Sequence, residues 1–291
     1  MFEKVLLPTD FSPDSQRVLD YVEDIPGVRE VIILHVFDAT RPSRLGRDHS
    51  QQIENVKILL EENRNALEKS GVKTEAAIET IVNMITQGDI PLTILEKAER
   101  ENISLIMMGA RGKNTIQNIL LGSVSANVIR HAKTPVLLMR FPPGSHAGES
   151  HRHLFSRVLV PVDFSEPSRY ALELLKDIPK TGQVTLLHVV DKGESEEEIQ
   201  DAVRVARERL VVIQKDLEAA GIAAEVLVHV GYPPDEINAS ADRSEVTLIL
   251  MSPQGEGWTR ELRALFIGST TNAVIRRTHR PVLIAAGHPP S

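Results

Sequence analysis

The part of the sequence best suited to chemistry is a glycine-rich segment. Gly109-Ala-Arg-Gly112 is followed, after nine residues, by Gly122-Ser-Val-Ser125. Glycine lets a backbone approach a ligand closely, and the N–H groups at a helix N-terminus are well placed to bind an anion. We therefore predict that a helix begins at Gly122-Ser123 and that its N-terminus binds phosphate, with Arg111 as an additional charged contact.

An acidic residue ends the first predicted strand. Asp10 follows Val5-Leu-Leu-Pro-Thr9, and its carboxylate could accept hydrogen bonds from ribose hydroxyls or from the glycine-rich segment. A plainer interpretation is that Asp10 only caps a turn and that the glycines only form tight turns. Residue spacing alone leaves both interpretations open.

Apolar, strand-like runs alternate with helical patterns in the first half of the chain. Val5–Leu7 and Val31–Val36 are predicted strands, whereas Ser50–Ser70 has apolar residues at helical spacing. Such alternation predicts an α/β protein with a parallel sheet and right-handed crossovers. Ligands of these sheets bind at the carboxyl ends of the strands, which is where Asp10 lies.

The two halves of the sequence repeat each other. Lys4–Ser12 recurs as Arg157–Ser165, and Ile33–Asp38 recurs as Leu186–Asp191. A segment rich in proline, glycine, serine and histidine separates the two copies. The sequence therefore predicts two tandem domains at 1–141 and 155–287, joined by a linker at 142–154.

Two histidines lie at matching positions inside the apolar strands of the repeat. His35 stands in Leu34-His-Val36, and His188 stands at the same point of the second copy. A histidine within an apolar strand is more often a hydrogen-bonded structural residue than a ligand. We expect that role for both.

Composition excludes several classes of protein. The 291 residues contain no cysteine, carry a net charge of −7 and include only 4% aromatic residues. Disulfide frameworks, thiolate metal sites and general nucleic-acid binding are therefore not expected. No apolar run reaches the ~18 residues needed to span a membrane, and Pro8 and Asp10 come too early for a signal peptide. These observations predict a soluble, cytoplasmic protein.

The motifs resemble those of ATP-binding universal stress proteins. Gly-x2-Gly-x9-Gly-Ser, Pro8-Thr-Asp-Phe-Ser12 and Leu34-His-Val36 match that family in order and spacing over both halves. The resemblance implies two doubly wound domains of the adenine-nucleotide alpha-hydrolase type. Each would contain a five-stranded parallel sheet of order 3-2-1-4-5 with helices on both faces.

The resemblance also implies a ligand and the residues that hold it. The ligand is ATP, with Mg²⁺ or Mn²⁺. Asp10 would lie near the ribose, Val36 near the adenine and Val124 near the phosphates. Together with the residues singled out above, the predicted site consists of Pro8, Thr9, Asp10, Val36, Met108, Gly109, Arg111, Gly112, Gly122, Ser123, Val124 and Ser125.

The second copy departs from this pattern. Ser252 stands where the first copy has Gly109, and twelve residues instead of nine separate Gly255 from Gly268. Glu256 and Glu261 add negative charge to the longer segment. We predict that the first domain binds ATP and that the second is degenerate or binds it weakly.

The last strand of each copy, Val136–Met139 and Val282–Ala285, is expected at a sheet edge. An apolar edge needs a partner, and the two edges could pair within one chain. The resemblance supports such an intramolecular pseudo-dimer, and two chains could associate further.

Three functions are compatible with the sequence. The first is a nucleotide-dependent stress-response or signalling module that acts through binding an adenine nucleotide and a protein partner. The second is a slow ATPase or phosphotransferase of the same architecture. The third is a structural interaction module whose two nucleotide sites are vestigial.

Overall fold

The structure, a computed structural model, describes residues 2–39, 49–81, 89–111, 121–141, 153–255 and 267–286. The chain divides into two compact units, Met1–Met139 and Arg140–Ser291. Residues 142–152 of the predicted linker lie outside the described residues.

The first unit alternates strands and helices from its first residues onward. Its elements are β1 (Lys4–Pro8), α1 (Pro13–Val18), a 3-10 helix (Leu19–Asp24), β2 (Glu30–Asp38), α2 (Ser50–Glu68), β3 (Lys73–Ile81), α3 (Ile90–Arg100), β4 (Leu105–Gly109), α4 (Ser123–His131) and β5 (Val136–Met139).

The second unit repeats this series of elements. They are β6 (Arg157–Pro161), α5 (Glu166–Lys176), β7 (Gln183–Val190), α6 (Glu196–Ala219), β8 (Ala224–Val230), α7 (Pro233–Arg243), β9 (Leu248–Met251), α8 (Ser269–Arg277) and β10 (Val282–Ile284).

All described strand pairs within each unit are parallel, and both units use the same order. The first unit reads β3-β2-β1-β4-β5 and the second reads β8-β7-β6-β9-β10. In the first unit, Pro8 at the end of β1 pairs with Leu34 of β2. The predicted α/β fold and the 3-2-1-4-5 order are confirmed for both units.

A serine followed closely by proline begins the first helix of each unit. The Ser12 side chain accepts a hydrogen bond from the Ser15 N–H, and Ser165 accepts one from the Ser168 N–H. Proline occupies the first turn of each helix, where its missing N–H has no helical partner to lose. These caps turn the chain sharply at the ends of β1 and β6.

The central strands form the core of each unit. Consecutive residues Ile32, Ile33 and Leu34 of β2 are fully buried, as are all the residues of β4 and β5. Successive strand residues point to opposite faces, so both faces of the sheet are covered. Only the strand ends and the connections beyond them remain to form a site.

None of the described helices is both long enough and apolar enough to cross a membrane.

Candidate functional site

The site lies at the carboxyl ends of the central strands. β1 stands between β2 and β4 in the sheet, so the ends of these three strands meet at one edge. This arrangement brings Pro8, Thr9 and Asp10 together with the ends of the two neighbouring strands. The predicted phosphate residue Gly112 lies outside the described residues.

The glycine-rich segment is joined to the strand that precedes it. The Gly122 N–H donates a hydrogen bond of 2.8 Å to the Ala110 carbonyl. The Ser125 hydroxyl, whose residue is only 4% exposed, donates one of 3.0 Å to the Gly109 carbonyl. These two bonds hold the start of α4 against the end of β4. Ser125 therefore positions the helix, while its predicted contact with phosphate stays a prediction.

The N-terminus of α4 begins at a glycine. Gly122 is the N-cap, in an extended conformation, and it supplies no side-chain hydrogen bond to the first turn. A Cβ on Gly122 would lie 3.5 Å from the Ala110 carbonyl oxygen and 3.8 Å from the Arg111 Cα. The backbone N–H groups of Ser123 and Val124 are therefore not engaged by a cap, and they suit an anion.

Arg111 carries a second feature that favours an anion. Its Nε is buried and has no hydrogen-bond partner among the described residues. A buried donor without an acceptor lowers the stability of the protein by roughly 1–3 kcal/mol, and by more when the donor is charged. A phosphate oxygen beside Arg111 would remove that cost.

Asp10 and Thr9 are held tightly by the turn that follows β1. One Asp10 carboxylate oxygen, Oδ1, accepts a hydrogen bond of 3.0 Å from the Ser12 N–H. The Thr9 hydroxyl accepts one of 3.1 Å from the Phe11 N–H, and Phe11 has a φ of 57°. The turn-capping role of Asp10 is thus present, and it leaves the carboxylate at the edge of the site.

His35 and His188 have structural partners, as predicted. His35 Nδ1 donates to the Thr9 carbonyl at 2.8 Å, and His188 Nδ1 donates to the Val162 carbonyl at 2.7 Å. Each histidine therefore holds the residue that comes just after β1 or β6 and just before Asp10 or Asp163.

Val36 and Met108 are predicted contacts of the adenine. Val36 belongs to β2 and Met108 to β4, and both residues are buried. Their contact with a base stays a prediction.

The second unit keeps the same backbone frame. The Gly268 N–H donates to the Pro253 carbonyl at 2.8 Å, and the Thr271 hydroxyl donates to the Ser252 carbonyl at 2.9 Å. These bonds match the two that hold α4 in the first unit. Ser252 in place of Gly109 therefore does not disturb this joint, and the predicted degeneracy stays a prediction.

A cavity of about 480 Å³ opens at this edge of the second unit. Its apolar lining residues include Val162, Pro233, Ile237 and Met251. Its charged lining residues are Asp163, Asp191 and Lys192. Other lining residues have hydroxyl groups or no side chain. They include Ser252, Gly255, Gly268, Ser269, Thr270 and Thr271.

Sequence reasoning missed the part of this cavity that α7 contributes. Pro233 and Ile237 line it because α7 begins directly after β8. The available signal was the position of Pro233 just beyond the carboxyl end of a strand. Glu256 and Glu261, which were expected to add charge here, lie outside the described residues.

A side chain at Gly255 would require the Asp163 carboxylate to move. A Cβ built on Gly255 would overlap the Oδ2 atom of Asp163. The other oxygen of that carboxylate, Oδ1, accepts hydrogen bonds from the Ser165 N–H at 3.0 Å and the Ser165 hydroxyl at 2.6 Å. Asp163 thus joins the turn after β6 to the glycine-rich segment after β9.

Both halves of the chain match one family model, described as the universal stress protein family, at residues 1–140 and 154–286. The chain belongs to the universal stress protein family. It contains two such domains in tandem. This membership confirms the resemblance that the motifs indicated.

Individual universal stress proteins agree with this assignment. MJ0577 of Methanocaldococcus jannaschii is 32% identical over 155 residues, which make up 48% of this chain and 96% of that protein. Slr1230 of Synechocystis is 26% identical over 236 residues, or 79% of this chain and 71% of that protein. The crystal structure of a universal stress protein from Archaeoglobus fulgidus DSM 4304 is 30% identical. Its match covers 98% of this chain and 96% of that one, with a TM-score of 0.73.

Proposed function

We propose that this universal stress protein binds ATP in its first domain and acts by changing its contacts with a protein partner when the nucleotide is bound. The observation that carries the proposal is the pairing of two features at one place. Arg111 has a buried Nε without a partner among the described residues, and it adjoins the N-terminus of α4, which no side chain caps.

These features suit the phosphates of ATP. The backbone N–H groups of Ser123 and Val124 point out of a helix N-terminus, which carries partial positive charge. Arg111 adds a full charge and a fork of donors that match phosphate oxygens. Bound ATP would supply phosphate oxygens as hydrogen-bond acceptors for both the Arg111 Nε and the uncapped N-terminus of α4.

The rest of the proposed site holds the nucleoside. Asp10, at the end of β1, would accept hydrogen bonds from ribose hydroxyls with the carboxylate that the Ser12 N–H orients. Val36 and Met108 would lie under the base. These assignments follow from the resemblance to ATP-binding universal stress proteins, and the position of each residue at the edge of the sheet is compatible with them.

A divalent cation would have to come with the nucleotide. Within the part of the chain that the structure describes, no three His, Asp or Glu side chains form a group that could hold a metal ion. We propose that Mg²⁺ or Mn²⁺ is bound through phosphate oxygens and water, since hard cations prefer oxygen ligands.

Binding is favoured over rapid catalysis by the surroundings of Ser123. In-line phosphoryl transfer needs a positioned nucleophile. No side chain among the described residues hydrogen-bonds to the exposed Ser123 hydroxyl, so none of them is placed to activate it. We propose that the protein works in the cytoplasm, where adenine nucleotides are abundant.

The experiment that tests this proposal measures nucleotide binding and turnover together. Native mass spectrometry of the purified chain should show ATP, and calorimetry with ATP should give binding that Gly122→Leu abolishes. Gly122→Ala is the matched control, because a Cβ finds ordinary contact distances there. Equal ATP binding by wild type and Gly122→Leu would contradict the assigned site, and many turnovers per chain would favour the slow ATPase.

The predicted pairing of the two domains as a pseudo-dimer is tested separately. Light scattering with and without ATP should give the mass of a single chain if the domains pair within it. A mass of two chains would indicate the further association that the sequence left open.

A further inference from the structure

The two domains share a backbone frame but differ in charge at one position within it. Arg111 is the second residue after Gly109, and Gln254 is the second residue after Ser252. Matching hydrogen bonds hold both segments, from Gly122 to Ala110 and from Gly268 to Pro253. The first domain therefore has a permanent cation where the second has a neutral amide.

The aspartates that follow β1 and β6 do not distinguish the two sites. Asp10 and Asp163 occupy equivalent turns, and each accepts the N–H of the serine two residues later at 3.0 Å. A carboxylate at a site favours ligand hydroxyl groups and repels phosphate. Among the described residues between the fourth strand of each domain and the helix that follows it, Arg111 is the one positive charge that can balance that repulsion.

Lys192 does not replace Arg111 in the second domain. It follows β7, whereas Gln254 follows β9, and β6 lies between those two strands. Lys192 is also exposed and comes directly after Asp191. Among the described residues that line the cavity, the charges are those of Asp163, Asp191 and Lys192, so the lining offers no excess of positive charge to a triphosphate.

The cavity of the second domain nevertheless suits a nucleoside. Its apolar lining residues, which include Val162, Pro233 and Ile237, offer contacts to a flat base. Its hydroxyl groups and Asp163 can bind the sugar hydroxyls. A volume of about 480 Å³ is ample for this, since ligand pockets span roughly 300–1,000 Å³.

We propose that the second domain binds a nucleoside or nucleoside monophosphate, and that the Arg111/Gln254 difference makes the first domain selective for the triphosphate. This inference rests on the proposed nucleotide-binding function and adds a second ligand class to it. One chain would then hold two ligands that differ in phosphate number.

The test isolates each site in the full chain. Gly122→Leu leaves only the second site, and Gly268→Leu leaves only the first. Calorimetry is run on each variant with ATP, AMP and adenosine as separate probes, and thermal unfolding checks that each chain is folded. We expect the Gly122→Leu chain to bind adenosine and AMP, and to bind ATP at least about tenfold more weakly than the Gly268→Leu chain does.

An exchange of Arg111 and Gln254 between the two domains tests whether these residues cause the difference in ATP affinity. Adding Gln254→Arg to the Gly122→Leu chain should raise its ATP affinity about tenfold and leave its adenosine affinity unchanged. Adding Arg111→Gln to the Gly268→Leu chain should lower ATP affinity by a similar factor, while Arg111→Lys should keep part of it.

Three results would overturn the inference. They are equal ATP affinity at the two isolated sites, a Gln254→Arg effect as large on adenosine as on ATP, and no binding of any probe by the folded Gly122→Leu chain. Failure of the proposed function is a different result, because it is measured as the absence of ATP binding by the folded Gly268→Leu chain.

Discussion

The Ser125 hydroxyl donates a hydrogen bond of 3.0 Å to the Gly109 carbonyl. This bond ties the first turn of α4 to the last residue of β4 across sixteen positions of the chain. In the second domain, the Thr271 hydroxyl makes the same bond to the Ser252 carbonyl at 2.9 Å. A hydroxyl at this position thus fixes the helix N-terminus in both domains.

Removing this hydroxyl should weaken the first domain. Ser125→Ala is expected to lower the free energy of unfolding by about 1 kcal/mol, the usual net value of a hydrogen bond. It should also lower ATP affinity, because the helix N-terminus is no longer held at the strand end. Urea unfolding and calorimetry measure the two effects.

The second domain supplies the control for that variant. Ser125→Thr introduces the residue that Thr271 occupies naturally and should keep both stability and affinity. A loss with Ser125→Thr as large as that with Ser125→Ala would show that the hydroxyl is not responsible.

A side chain at Gly255 should destabilise the second domain. In Gly255→Ala, the new Cβ would overlap Asp163 Oδ2, so the carboxylate would have to turn away from its hydrogen bonds with Ser165, at a cost of about 1 kcal/mol. Thermal unfolding should show a lower midpoint than that of wild type. Gly122→Ala is the matched control, since its Cβ meets atoms no closer than 3.5 Å, and equal effects of the two variants would contradict this explanation.

The acid stability of the first domain should depend on Glu101. Hydrogen bonds from Lys4 and from the buried Lys97 lower the pKa of this carboxyl. A pKa that is lower in the folded state contributes stability above the unfolded pKa, and this contribution is lost as the pH falls through the folded pKa. Glu101→Gln should therefore reduce stability at neutral pH and flatten its fall below the ordinary glutamate pKa.

Unfolding by urea at a series of pH values measures that dependence. Glu99→Gln is the control two residues earlier, because the ion pair of Glu99 with Lys133 is exposed and contributes little. If Glu101→Gln and wild type lost stability in parallel as the pH falls, the Lys4–Glu101–Lys97 contacts would not be its cause.

Arg209 should stabilise the turn after β6. Its guanidinium carbon lies 3.8 Å from the centre of the Phe164 ring, and Phe164 has a φ of 64°. Arg209→Ala is expected to lower the free energy of unfolding by about 0.5–1 kcal/mol through the lost cation–π contact. Chemical denaturation measures this, and Arg207→Ala, at an exposed position of the same helix, should have no effect.

Much of the fold was predictable because the signals were local. Apolar runs such as Val31–Val36 identified strands, and the recurrence of Lys4–Ser12 at Arg157–Ser165 identified the duplication. The strand order came from the resemblance to universal stress proteins, since periodicity does not determine which strands pair. The structural role of His35 was also predicted, because an apolar strand favours a histidine that bonds within the protein.

The site was predictable in position but not in detail. Glycine spacing located the start of α4, yet it did not show that the Ser125 hydroxyl turns toward the Gly109 carbonyl. Likewise, Ser252 and the longer segment predicted a degenerate second site, which stays a prediction, but they gave no sign that Pro233 and Ile237 help to line a cavity there.

The sequence by itself determined that the chain contains two copies of one domain. It also determined that a glycine precedes the helix that follows the fourth strand of each copy. Arg111 in one copy stands where Gln254 stands in the other. Only the tertiary structure decided that the Arg111 Nε is buried without a partner among the described residues and that Asp163 packs against Gly255. The physical reason is that burial and contact depend on how segments distant in sequence pack at the edge of the sheet. Residue type and spacing indicate local preferences for strand, helix and turn, but not the contacts between segments that are distant in the sequence.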